Sequence, residues 1–165
     1  MDTPQPEHTY PLLETQAKAI VVYCGDPRFQ RAYREFIGNE LHLQEGEYIP
    51  IVVAGGVASL SEPLRLPKEF KFMKDKIKFF LDRFSSVKRI VLINHEDCRH
   101  YEAMKTSIGP LFLQHVQHMT ERQIKDLTSV AKALLELGVP GLQFELYYAR
   151  IVKNGGSAVR FEKIA

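Results

Sequence analysis

Long apolar runs are missing from this 165-residue sequence. None approaches the roughly 20 residues that a membrane-spanning helix needs. Cysteine is scarce: Cys24 and Cys98 are the only two, too few for a disulfide framework, and a reducing cytoplasm would keep them as thiols. Neither sign of charge dominates. The 22 Lys and Arg against 20 Asp and Glu leave +2, too little to imply a nucleic-acid partner. Residues 1–16 lack the basic start and apolar stretch of a secretion signal, so the expected compartment is the cytoplasm, with neither nucleic acid nor membrane as partner. No internal repeat and no dividing linker is visible. What remains, 45% hydrophobic and 25% charged, is the balance of one ordinary globular domain.

Residues 1–17 read as a loose arm, because Pro4, Pro6 and Pro11 offer no backbone donors and no periodicity is present. Residues 18–165 read as a single domain in which strands and helices alternate. The β-branched run 18–24 predicts a buried strand. Asp26-Pro27 then resembles a helix cap and first turn, and Phe29, Tyr33, Phe36, Ile37 and Leu41 carry helical spacing to about Leu43. A second strand is expected over 48–54, with Pro50 marking an edge or a strand start, and Gly55-Gly56 closing it in a tight turn. An apolar helical stripe covers 68–84. The run 88–94 is apolar throughout its middle, as in a strand covered on both faces. Helical pieces broken at Gly109-Pro110 follow over 101–119. A further helix starts at Thr120 with a Thr120–Gln123 capping box and ends at Gly138. Residues 142–152 and 157–164 form a hairpin around Asn154-Gly155-Gly156. The fold class is therefore α/β: a mostly parallel central sheet flanked by helices, with a C-terminal β-hairpin.

In such sheets chemistry gathers beyond the carboxyl ends of the strands. The first strand ends in Cys24-Gly25-Asp26-Pro27-Arg28 and the third in Asn94-His95-Glu96-Asp97-Cys98. A single buried cysteine is more often packing than ligand. Two cysteines and a histidine at one sheet edge are a donor set that suits Zn²⁺, and three ligands leave the fourth position open, as in catalytic sites. Asp26, two residues past Cys24, can accept a hydrogen bond from bound water or bind the metal itself. Arg28 can hold that carboxylate with a forked pair of donors.

On these two motifs the sequence resembles the β-class carbonic anhydrases, which carry Cys-x-Asp-x-Arg after the first strand and His-x-x-Cys after the third. The short length is similar to the compact, archaeal-type branch. The resemblance implies zinc bound by Cys24, His95 and Cys98, and a catalytic dyad of Asp26 and Arg28. It implies reversible hydration of carbon dioxide to bicarbonate by a zinc-bound hydroxide, and a homodimer or higher homo-oligomer. Two departures stand out. Many members read Arg-Asn-Ala-Gly near the end of strand two, where this chain reads Val52-Val53-Ala54-Gly55-Gly56. Members usually have Gly after the second cysteine ligand, where this chain has Arg99. Gly55, Gly56 and Arg99 are accordingly assigned to the substrate pocket. The alternatives are hydrolysis of a related heterocumulene, carbonyl sulfide or carbon disulfide, and a catalytically silent zinc scaffold.

The stretch from Arg65 to Arg89 carries nine basic residues against Glu69, Asp75 and Asp82; it reads as the solvated face of a core-packed helix, with an anionic surface as the alternative. His115 and His118 can share a helix face, and a packing or solvated role is the simpler account.

Overall fold

The computed structural model describes residues 9–107, 119–153 and 157–165. The first eight residues of the arm, the break at Gly109-Pro110, His115, His118 and the Asn154-Gly155-Gly156 turn lie outside the described residues. Five strands form one sheet: β1 (Ala19–Cys24), β2 (Tyr48–Val53), β3 (Arg89–His95), β4 (Gln143–Lys153) and β5 (Ser157–Lys163). Their spatial order is β2-β1-β3-β4-β5. The first three pairings are parallel, and β4 with β5 is the antiparallel C-terminal hairpin. Pro50 sits on β2, the edge strand, opposite Val21, where its missing donor costs no second ladder.

Strand alternation divides the core into two layers. On one face Ile20, Val22, Ile90, Leu92 and Leu146 meet the apolar sides of α2 (Ala58–Ser61), α3 (Pro67–Arg83) and α5 (Met119–Leu135). On the other, Ala19, Val21, Tyr23, Val91 and Ile93 meet Phe29 and the Tyr33, Phe36 and Ile37 stripe of α1 (Gln30–Asn39). The remaining helix, α4 (Arg99–Ser107), follows β3. Because β2 and β3 flank β1 on opposite sides, the chain reverses its winding between β1 and β3. The crevice beyond their carboxyl ends is the place such sheets reserve for ligands.

Three local expectations change. Helix α1 begins at Gln30 rather than at Asp26-Pro27, and Phe29 precedes it without a side-chain cap; the Asp26 carboxylate is occupied by Arg28 instead. The Thr120–Gln123 box is not the device at the start of α5: Gln123 is fully buried and its Oε1 accepts from the Tyr148 hydroxyl at 2.6 Å. The short helix α2 has no counterpart in the sequence reading. The basic stretch falls on α3 and its flanks, where Lys71–Asp75 and Lys78–Asp82 pair along the solvated face. No helix among the described residues is long and apolar enough to cross a membrane.

Candidate metal centre

Cys24 is the last residue of β1 and His95 the last of β3, on neighbouring strands. Cys98 stands three residues on, just before α4. One ligand atom from each of the three lies within 4.8 Å of the others, and all three residues are buried. His95 Nδ1 is 2.8 Å from the Glu96 carbonyl oxygen. A carbonyl only accepts, so Nδ1 carries the proton and Nε2 keeps its lone pair. That Nε2 is buried and has no hydrogen-bond partner. An unpartnered imidazole nitrogen grouped with two sulfurs, its other nitrogen fixed by a carbonyl, is how metal-ligating histidines are held. The S₂N donor set suits Zn²⁺ and leaves a fourth position open. The Phe29 ring walls the imidazole at a centroid distance of 4.2 Å.

The two thiols are unequal. A hydrogen bond from the Cys98 thiol, with the backbone N–H groups of Asp26 and Gly55, outweighs burial and lowers the Cys24 thiol well below its usual range. The same contact with Cys24 raises Cys98. The two thiols share one proton between them, and binding of a dication would release it. The Gly55 N–H reaches Cys24 Sγ at 3.3 Å. This approach needs glycine. Gly55 has φ +75°, and a Cβ there would lie 2.4 Å from His100 Cδ2.

Asp26 and Arg28 form a close pair. Arg28 donates from its backbone N–H to Asp26 Oδ1 at 3.0 Å and from Nη2 to Oδ2 at 2.7 Å, with Nε at 3.1 and 3.2 Å from the two oxygens. These hydrogen bonds hold the Asp26 carboxyl below the usual carboxylate range, against a smaller opposing effect of burial. The Asp26 side chain is only 9% exposed, whereas that of Arg28 is 40% exposed. Arg28 also donates from Nη1 to Asp97 Oδ2 at 2.6 Å and from Nη2 to the Asp97 carbonyl at 2.9 Å. One guanidinium thus ties the Cys24 loop to the His95–Cys98 turn.

A cavity of 360 Å³ is lined by Cys24, Asp26, Arg28, Cys98, Arg99 and His100, together with Gly25, Pro27 and Ala54. The structure brings Cys24, His95, Cys98, Asp26 and Arg28 together and puts Arg99 in the lining. Gly55 and Gly56 are not in the lining; they form the turn behind it, where Gly56 (φ +57°) approaches the Ile93 carbonyl and Asn94 Oδ1. Sequence reasoning missed several supports. Gln30 Nε2 clamps the Cys24 and Asp26 carbonyls at 3.0 and 2.8 Å. Glu96 Oε2 accepts from the Ile151 N–H of β4 at 2.8 Å. Asp97 holds φ +56°, a conformation Asp tolerates better than most residues. The place of Glu96 and Asp97 inside a His-x-x-Cys turn was the available signal for both; Gln30 carried none.

No family model matches the chain, and no curated protein matches it in sequence. Solved structures match in shape. The carbonic anhydrase from Streptococcus mutans aligns with a TM-score of 0.60 and 15% identity, over 96% of this chain and 89% of that one. The carbonic anhydrase from Glaciozyma antarctica aligns with a TM-score of 0.51 and 20% identity, over 93% and 86% of the two chains. A Cys–His–Cys group that can bind a metal, at the crevice of this sheet, therefore sits in a chain that shares its fold with these two carbonic anhydrases.

Proposed function

We propose that the protein is a β-class carbonic anhydrase: a zinc enzyme that reversibly hydrates carbon dioxide to bicarbonate and a proton. The observation that carries the reading is the grouping of Cys24, His95 and Cys98, with both cysteines lining one cavity together with the Asp26–Arg28 pair. Zn²⁺ held by those three ligands would supply the Lewis acidity that ionises water near neutral pH. Asp26 accepts a hydrogen bond from the attacking oxygen and aims its lone pair at the carbon. Arg28 keeps Asp26 charged and oriented. With its oxygens engaged by Arg28, Asp26 would be held back from binding the metal itself. Arg99 stands on the pocket lining, and Gly55 and Gly56 let the backbone close behind the sulfur.

The same reading includes a cytoplasmic homodimer or higher homo-oligomer, with the N-terminal arm ahead of the buried Ala17 crossing to a partner. Tyr10 and Leu12 of that arm are apolar and strongly exposed, which supports a covering surface elsewhere.

The test is stopped-flow hydration of carbon dioxide by the zinc-loaded protein. Asp26→Asn and Arg28→Ala are expected to keep their zinc and lose about 10²-fold or more in rate, the usual cost of one catalytic hydrogen-bonding group. Parent-like rates in both variants would make the dyad structural and the mechanism wrong. An inactive parent with zinc bound would turn the reading to carbonyl sulfide or carbon disulfide hydrolysis, assayed on the same sample, and failure there would leave the scaffold.

A further inference from the structure

Behind the metal ligands lies a polar chain in an otherwise aliphatic interior. Asn94, the residue before His95, donates from Nδ2 to the Tyr101 hydroxyl at 3.2 Å and to the Gln123 carbonyl at 3.0 Å. The Tyr101 hydroxyl donates to Asp126 Oδ2 at 3.0 Å. Asp126 Oδ1 accepts from Arg122 Nε at 2.9 Å, and Arg122 Nη2 pairs with Glu62, the residue that closes α2. Asn94, Tyr101 and Asp126 are each at least 95% buried.

Stability alone gives no reason for this chain. Buried ionic groups are commonly neutral or worse against apolar residues of equal volume. Their geometry gives a better one. The turn that presents His95 and Cys98 has two ends, Asn94 on β3 and the first turn of α4, where the Glu102 N–H bonds to the Cys98 carbonyl at 3.1 Å. The Tyr101 hydroxyl joins those two ends and fastens both to α5. Tyr101 also packs in one apolar cluster with Cys24, Cys98 and Ala58.

We infer that Tyr101 and Asp126 are positioning residues for the metal: they fix the separation of His95 and Cys98 through Asn94 and α4. The inference rests on the zinc reading above. It goes beyond it by assigning metal affinity to a hydroxyl and a carboxylate that are not ligands. Loss of such an outer partner typically weakens metal binding about 10- to 100-fold.

The experiment measures zinc affinity by chelator competition, and the visible absorption of the Co²⁺-substituted protein, in the parent, Tyr101→Phe, Asp126→Asn and the double variant. Tyr147→Phe is the control: it deletes a hydroxyl bonded to Glu145 at 2.8 Å on β4, away from the site. Tyr101→Phe keeps the ring, so the fold is expected to survive. Its zinc affinity should fall about tenfold or more, with a shifted Co²⁺ band, and the double variant should be little worse than the single one, since the two act on one path. Tyr147→Phe should match the parent in both readouts. If Tyr101→Phe and Asp126→Asn bind zinc as the parent does with an unchanged Co²⁺ spectrum, the network is only structural and the inference fails alone. A parent that takes up no zinc overturns the metal reading and this inference together.

Discussion

The two loops that carry the ligands are supported in opposite ways. The Cys24 loop is held mostly by its own neighbours: Arg28 grips Asp26 two residues back, and Gln30 clamps the carbonyls of Cys24 and Asp26. The His95–Cys98 turn is held from afar. Glu96 is fastened to β4 at Ile151, and Asn94 and Tyr101 are fastened to α5 at Gln123 and Asp126. A local loop keeps its shape as long as its own residues are right. A remotely held turn keeps its shape only when the whole sheet and α5 are in place. The second loop therefore reports on the finished tertiary structure more than the first does.

The most severe way to break the comparison removes a ligand from the remotely held turn. Cys98→Ser is expected to take the zinc content from about one per chain to none, because a hydroxyl replaces a thiolate poorly; elemental analysis after reconstitution measures it, and retained zinc would show that the turn does not supply a ligand. A milder cut compares the supports themselves. Glu96→Ala removes a charged acceptor and is expected to cost about 2 kcal/mol, whereas Gln30→Ala removes two neutral, part-buried contacts at the weak end of the range, about 0.5 kcal/mol each and about 1 kcal/mol together. Denaturant titration of the metal-free variants reads the difference, and an equal or reversed ranking in unfolding free energy would undo the distinction between the loops. The smallest effect is a pH dependence. Arg28 depresses the Asp26 pKa in the folded state, so their mutual stabilisation is whole above the ordinary aspartate value of about 3.9 and fades as pH falls through the lower folded value. The metal-free parent should lose stability on acidification in that window more steeply than Asp26→Asn, and parallel curves would remove the pair from the stability account.

That contrast also explains what could be read in advance. The α/β class, the edge position of Pro50, the hairpin and the strands were legible because apolar alternation and β-branched runs are local patterns. So was the meeting of Cys24, Asp26, Arg28, His95 and Cys98 at one sheet edge, since each lies at or within a few residues of the end of β1 or β3. The start of α1 was misplaced because Asp26-Pro27 carries a good cap pattern, yet the carboxylate has a stronger partner in Arg28. The apparent box at Thr120 failed for a similar reason: Gln123 is drawn to Tyr148, 25 residues away. Neither Asp126 nor Tyr101 carries any local mark, since their partnership spans β3, α4 and α5. Pairings across the fold leave no periodicity in one chain.

The double grip of Arg28 has a kinetic meaning. Its guanidinium holds Asp26 on one loop and both the carboxylate and the carbonyl of Asp97 on the other. Native proteins open in cooperative patches rather than residue by residue. A single cation shared by two loops couples their patches, so an outward swing of either one gives up its contacts to the other. The amides of Asp26, Arg28 and residues 96–98 are then expected to exchange with solvent deuterium as one unit, and the escape of anything held between the loops waits on that common opening.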